Sequence, residues 1–447
     1  MMVYLKETVY NSIFFNFRFR NSILGSLFFF FDCCDIGQLS KLAFVIKTIS
    51  DEKIILIDKH QPMSLTTSKS GENFRDYWPH PCMTALTRHS IDMMQALADG
   101  SDNAFEMRYS GYDFVSEAEG REIFPSGSLT GPDNIGHVLR ITGSENIQAS
   151  RPYLGHSIRQ VVRFKQAGAI DVYTLGSLLL AQARQAGVEL YRASIEGIEQ
   201  ASPGYRLDLS SNGAPASLEA QKLVLTPGPF INELAEMLGI TLPVESILQR
   251  KFVIPDPQKI IPRDMPFTIF ADPQYLAWSE EDKDLIARDP EYRWLLDEFP
   301  AGLHIKPEGA SNIKLGWAYN REPESPKWET SDDFDFPNIT LRGASRFIPD
   351  LASYVENPPT PIIQFSGYYT RTPENLPLIG PLELENLFTV SALSGFGTMA
   401  ACAAGELCAS WMSGGELPEY AAYFHPDRYR NATLMAEIDQ IGSDGQL

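Results

Sequence analysis

The sequence predicts an α/β protein, α+β overall, in which a parallel sheet covered on both faces is joined to a second domain built on a mixed sheet. Three observations carry this. Short, nearly all-apolar runs at 53–58 and 222–226 are bounded by turn residues and separated by helical spacing, the pattern of strands buried on both faces. A second strand-to-helix turn, rich in glycine, spans 387–412. From about 240 to 355 the βα rhythm gives way to prolines and aromatics such as Pro262, Pro266, Trp278, Trp294, Trp317 and Trp328, as in a mixed sheet with long crossing loops.

Composition narrows the function classes. The 447 residues, 44% hydrophobic and 21% charged, suit a well-cored soluble globule of one large or two ordinary domains. Lys plus Arg number 37 against 57 Asp plus Glu, a net charge of -20 that repels nucleic acid and anionic membrane, so neither is expected as a partner. Five cysteines without a CxxC pair read as reduced thiols of a cytoplasmic protein, and seven scattered histidines without HExxH give no metal site. No run of about 20 apolar residues is free of charge, so no membrane-spanning helix is expected.

Taken in order, residues 1–35 differ from the rest. Arg18 and Arg20 sit in a Phe-rich stretch that ends in phenylalanines at 28–31 and then Asp32-Cys33-Cys34-Asp35. One reading is a buried strand at 27–31 in a parallel sheet; another is a signal peptide, for which Asp32-Cys33-Cys34-Asp35 is a poor cleavage site. Residues 39–49 keep a helical spacing, 50–52 turn the chain, and the strand 53–58 ends in Asp58. In a dinucleotide-binding βαβ unit a carboxylate at this strand tip accepts hydrogen bonds from the adenosine ribose, although a solvated strand-end acid is the plainer alternative. Such a unit opens with G-x-G-x-x-G. Here only Gly37 is a glycine between 33 and 39, and a Cβ at the other positions crowds a phosphate.

Residues 61–78 are loop-like and include Thr66-Thr67-Ser68-Lys69-Ser70-Gly71, whose hydroxyls and amides suit an anionic or heteroaromatic ligand. Asn73 and Arg75 follow, then a helix over 84–97. Asp171 opens a helix over 172–185 that Gly187 stops, and strands follow at 188–191, 193–198 and 205–209. The strand 222–226 runs into Pro227-Gly228-Pro229 and a helix at 231–238. Near the end, a turn-rich segment at 367–381 precedes a strand at 387–392, then Gly395-Phe396-Gly397 and a small-residue helix at 398–412. Close helix-to-sheet packing accounts for Ala400, Ala401, Ala403 and Ala404. It leaves the two glycines unaccounted for, whereas a ligand above the helix N-terminus requires both.

With these segments in view, the chain resembles the D-amino-acid oxidase and sarcosine oxidase superfamily of FAD-dependent oxidoreductases, from about residue 53 to 429. The most specific pieces are ILIDKHQPMSLTTSKSGENFR, VLTPGPFINELAEMLG, YYTRTPENLPLIGP and ALSGFGTMAACAAGELCASWM, in that order. The resemblance implies a Rossmann-like FAD-binding domain from 36–85, 150–240 and 360–430, a mixed-sheet substrate domain from 86–149 and 241–359, and a tail at 431–447. It implies that Asp58 binds the ribose and that Ser68, Ser70 and Gly71 line the pyrophosphate-to-flavin loop. Ile195 would meet adenine through its backbone, and Thr226 with Gly228 would close over the dinucleotide. Gly395, Phe396, Gly397 and Thr398 would lie beneath the pyrimidine edge of the flavin, where a helix N-terminus stabilises the negative charge that reduction leaves.

Departures from the family pattern shape the remaining expectations. Gly367 stands where some members carry the cysteine that bonds to FAD, which implies non-covalent FAD. Met399 replaces the lysine, and Tyr369 the arginine, that hold substrate carboxylate in different members, leaving Arg75 and Arg371 as guanidinium candidates, or as surface residues. Tyr368 or Tyr369 would shape the pocket. Lys259, in Asp256-Pro257-Gln258-Lys259, resembles the oxygen-activating lysine of sarcosine oxidase, or is a surface lysine. The implied activity is oxidation of the C–N bond of a small amine or amino acid to an imine, with oxygen as acceptor. The alternatives are a dehydrogenase using another acceptor and a non-catalytic homologue that has lost FAD. The missing glycines have two readings, an aberrant start over residues 1–40 and loss of flavin binding.

Overall fold

The structure is a computed structural model and describes residues 26–31, 53–119, 123–124 and 137–441. Its first sheet has six strands, in the order Leu378–Pro381, Leu387–Ser391, Lys222–Leu225, Ser26–Phe31, Lys53–Asp58 and Glu189–Arg192. Neighbours run parallel except the outer pair Leu378–Pro381 and Leu387–Ser391. The short apolar runs form these strands because both faces are covered: Ile54, Leu56, Ile57, Leu223, Val224 and Leu225 are all fully buried. The phenylalanine run supplies a central strand, with Leu27 opposite Ile54 on one side and Lys222 on the other. The following turn, with Gly37 and the expected helix at 39–49, lies outside the described residues.

One face of this sheet carries the helices Pro81–Gly100, Val172–Gln185 and Gly397–Ser413, which share one apolar core. Asp171 caps the second by accepting from the Thr174 N–H at 3.0 Å, as the sequence suggests. The other face carries the helix Ile231–Met237 and a three-stranded antiparallel sheet, Ser194–Gln200, Tyr205–Ser211 and Ala214–Ala220. The last strand escapes sequence reading because it is more exposed than buried and shows no apolar run.

The second sheet has eight strands, in the order Ile363–Arg371, Glu245–Pro255, Asn312–Gly316, Leu303–Glu308, Phe267–Phe270, Tyr112–Ser116, Gln160–Phe164 and Val138–Thr142. It is mixed, because Tyr112–Ser116 runs parallel to Phe267–Phe270 while the other pairs are antiparallel. Gln160–Phe164 and Ile363–Arg371 fall in segments assigned to the first domain, yet both pair in the second sheet. A two-stranded ribbon, Asn73–Arg75 with Ala167–Ala169, lies at the junction.

Candidate cofactor and substrate site

The strands Ser26–Phe31, Lys53–Asp58, Lys222–Leu225 and Leu387–Ser391 all end at one edge of the first sheet, as their parallel registers require. That edge therefore gathers Asp58, Thr226 and the turn leading to Gly395. Crevices outside the carboxyl ends of parallel strands are the natural ligand sites of open α/β sheets. Two adjoining clefts lie where the second sheet closes over this region, enclosing about 490 Å³ and 520 Å³ of space partly open to solvent. Ser70, Gly71, Lys251, Tyr369, Gly395 and Thr398 line both.

The helix Gly397–Ser413 aims its N-terminus at these clefts. Its N-cap residue, Phe396, has no polar side chain to cap it, and the Ala400 N–H, bonded to the Phe396 carbonyl at 3.1 Å, closes the first turn. The amides of Gly397, Thr398 and Met399, which precede that bond and line the clefts, carry the positive end of the helix dipole. The turn before it is tight: Ala392 and Ser394 hold φ of 58° and 45°. Gly395 is required because a Cβ there would come within 2.7 Å of the Tyr369 Cζ.

Five buried polar atoms of the cleft walls have no hydrogen-bond partner among the described residues: Thr66 Oγ1, Gln249 Oε1 and Ser394 Oγ in the first, Arg75 Nε and Trp78 Nε1 in the second. Orphaned donors and acceptors at this density mark a place where a polar ligand belongs. Together with the uncapped helix end, they fit the pyrimidine edge of a flavin. Thr66, Ser70, Ser394 and the Gly397 and Thr398 amides would hold that edge. The hydrogen bond between Ser70 Oγ and Thr398 Oγ1, at 2.8 Å, and the Tyr369 ring stand where the two clefts meet.

Electrostatics single out four side chains. Arg75 is 3% exposed, lies 4.1 Å from the Trp78 ring centroid and 5.2 Å from that of Phe114, and has no carboxylate partner among the described residues. Burial lowers its pKa to about 10, and a buried guanidinium without a counter-ion calls for an anion. Lys251 is held down to about 7, first by burial and then by the charges of Lys314 and Lys306. Those two lysines pair instead with Glu72 and Glu308, at 3.0 to 3.9 Å. Asp58 is 2% exposed and accepts from the His60 N–H at 2.8 Å; burial raises its carboxyl to about 6. Tyr369 is pushed up to about 12 by burial and stays a neutral phenol.

The structure brings together most, not all, of the residues singled out from the sequence. Ser70, Gly71, Gly395, Gly397, Thr398, Arg75 and Tyr369 line the clefts, and Phe396 is buried beneath them as the helix cap. Asp58, Thr226 and Gly228, whose φ is 58°, occupy the strand-end edge, and Ile195 is buried in the antiparallel sheet behind Asp58. Ser68 lines neither cleft; its hydroxyl donates to the Ser64 and Leu65 carbonyls. Arg371 also lies outside both, at the end of its strand opposite Glu245. Lys259 is exposed on a turn with φ of 55° and lines neither cleft; Lys251, eight positions earlier on the strand Glu245–Pro255, lines both, and Lys69 lines the first. Tyr368 lines the first cleft and donates to Glu324 at 2.9 Å. His304 and Lys251 carry no sequence signal beyond alternation along a strand.

A parallel-sheet domain with a ligand edge, closed by a mixed sheet that supplies cationic and aromatic walls, defines a cofactor-dependent oxidoreductase of the flavin-binding kind. The chain belongs to the DAO family of FAD-dependent oxidoreductases, whose profile matches residues 47–411. Dimethylglycine dehydrogenase, mitochondrial, of Homo sapiens is 25% identical over 271 residues, covering 59% of this chain and 28% of that protein. This chain thus spans little more than a quarter of the length of that relative. Among solved structures, L-proline dehydrogenase from P. horikoshii superposes with a TM-score of 0.71 at 16% identity, covering 92% of this chain and 99% of the other. Glycine oxidase from Geobacillus kaustophilus gives 0.70 at 16% identity, covering 91% and 99%. Iminodiacetate oxidase from Chelativorans sp. BNC1 gives 0.68 at 14% identity, covering 90% and 98%.

Proposed function

We propose that the protein binds FAD non-covalently and oxidises the C–N bond of a small amino acid to an imine, with oxygen as acceptor. The observation that carries this is Arg75, a buried guanidinium without a counter-ion among the described residues, in a cleft that adjoins an uncapped helix N-terminus. When bound, FAD supplies the two-electron acceptor for a C–H bond next to nitrogen. The chain's own residues do the rest. Arg75 clamps the substrate carboxylate, and Trp78, Tyr112 and Phe267 exclude water along the cleft wall. Tyr369, neutral and buried, orients the amine carbon toward Gly395. Glycine oxidase and iminodiacetate oxidase, by name, act on carboxylated amines, which agrees with this reading. Gly367, whose position is met by the Lys69 side chain and which offers no thiol, supports non-covalent attachment. The three described cysteines, Cys82, Cys402 and Cys408, are buried thiols outside any disulfide, in keeping with the reducing cytoplasm.

Oxygen as acceptor draws its support from Lys251, which lines both clefts without an ion-pair partner among the described residues and whose ammonium stabilises negative charge passed to oxygen. The missing glycines favour a second reading, an inherited fold that no longer takes up flavin. Purified protein mixed with FAD separates the readings. Yellow protein that releases peroxide with an amino-acid panel supports the proposal, and dye reduction without peroxide makes it a dehydrogenase. Protein that stays colourless and gains no thermal stability from FAD overturns it. With substrate in hand, Arg75→Met raises KM for carboxylated amines at least tenfold while sparing amines that lack a carboxylate.

A further inference from the structure

One buried group of the second cleft has no part in that scheme. His304, on the strand Leu303–Glu308, is 6% exposed and lines the same cleft as Arg75 and Tyr369. Its Nδ1 lies 3.0 Å from the Gly302 carbonyl oxygen. A carbonyl only accepts, so Nδ1 carries the ring proton and Nε2 is a bare lone pair. No donor among the described residues reaches Nε2. The ring is fixed on two sides. Phe267 lies 5.0 Å away between centroids, and Gly316 sits opposite in register, where a Cβ would come within 2.5 Å of Nε2. Burial first, then the Lys251 charge, lower the imidazole to about 3, so the neutral tautomer persists across the physiological range.

The position of this acceptor relative to Arg75 gives it meaning. Phe267 touches His304 on one side and Tyr112 on the other, with ring centroids 4.7 Å apart in the second pair, and Tyr112 in turn borders Arg75. One aromatic wall therefore runs from a site for an anion to a site for a hydrogen-bond donor. A molecule lying along it presents a carboxylate at one end and an N–H at the other.

We infer that His304 Nε2 accepts the substrate's amine N–H, so that the cleft selects amino acids whose neutral nitrogen retains a hydrogen, primary and secondary amines, over N,N-dialkyl amino acids. This rests on the amino-acid reading above. An amine is oxidised as the free base, and a tertiary free base has no N–H. Seated with its carboxylate on Arg75, it covers Nε2 without pairing it, a loss of roughly 10- to 100-fold.

The test uses the FAD-loaded protein with two matched pairs. In turnover, N-methylglycine is compared with N,N-dimethylglycine, and L-proline with N-methylproline; kcat/KM favours the secondary amine of each pair by about tenfold or more. In binding, read from the flavin spectrum, pyrrole-2-carboxylate is compared with furan-2-carboxylate, which has the same shape without the N–H, and the pyrrole binds more tightly by a similar factor. His304→Phe keeps an aromatic ring against Phe267 and brings both ratios toward one; His304→Gln, with an amide oxygen, restores part of each. Equal binding of pyrrole and furan by the unaltered protein, or ratios that survive in His304→Phe, overturn the inference while leaving the amino-acid reading intact. Protein that takes up no FAD overturns that reading and this inference with it.

Discussion

Asp58 shows at a single residue how a binding site is maintained against the stability of its own fold. The folded state holds its proton up to about pH 6, whereas the unfolded chain releases it near 3.8. Between those values the folded chain binds more protons, so its stability falls as pH rises through the window, and above it the cost of the buried carboxylate is fully present. Asp58→Asn is expected to make the apo protein more stable at pH 7.5 by about 1–3 kcal/mol, measured by urea unfolding, and to weaken FAD binding at the same time. Lys251 has the opposite sign of charge and the opposite sign of shift. Its ammonium is present below about pH 7 and lost above it. If oxygen is the acceptor, reoxidation by oxygen slows as pH rises through 7, and Lys251→Met is slow at every pH, measured by stopped-flow absorbance. Asp58 was legible in the sequence because an acid closing an apolar run sits at a strand tip, where a ribose would need it. Lys251 was not, since a lysine alternating with Arg250 and Phe252 on a strand looks solvated until a second sheet edge and two more lysines surround it. Lys259 drew attention through a short local match, and a turn with positive φ put it in water.

At the level of elements, the alanine-rich helix and its glycines depend on one another. Small residues on Gly397–Ser413 allow close approach to the helix Pro81–Gly100, and this fixes where its N-terminus points. Gly395→Ala drives a methyl group into the Tyr369 ring, so the expected outcome is FAD binding weakened by at least tenfold, measured by titration of the flavin fluorescence. The double change Gly395→Ala with Tyr369→Ala removes the collision and recovers part of that loss. The helix itself was readable from its spacing and its strand. The crossing of Ile363–Arg371 into the second sheet was not, because a turn-rich segment of Tyr, Thr and Pro has no feature that names its partner strand, and register is decided only by Glu245–Pro255 meeting it.

At the scale of the whole molecule, two charge networks bind distant parts of the chain. Lys306 donates to the Gly71 carbonyl at 2.9 Å and Lys314 to Glu72 at 3.2 Å, so strands of the second sheet grip the loop that lines both clefts. Arg428, buried, donates to Glu374 and to the Pro377 and Leu376 carbonyls, tying the segment after the last long helix to the turn before Leu378–Pro381. Arg428→Met takes the donor from the Pro377 carbonyl and the charge partner from Glu374, which keeps the Tyr429 hydroxyl at 2.9 Å, and is expected to cost about 3–5 kcal/mol in chemical denaturation while sparing the spectrum of whatever FAD-loaded protein remains folded. Neither network was visible in the sequence, since both join residues whose partners lie far along the chain. The same long reach governs the first sheet, where Ser26–Phe31 is flanked on one side by Lys222–Leu225. During translation at about 5–20 residues per second, the earlier strand waits on the order of 10 to 40 seconds for that neighbour to be made. Throughout that interval the side of the strand meant for Lys222–Leu225 has no partner to pair with, so the ligand edge of the first sheet is complete only once residue 225 has been made.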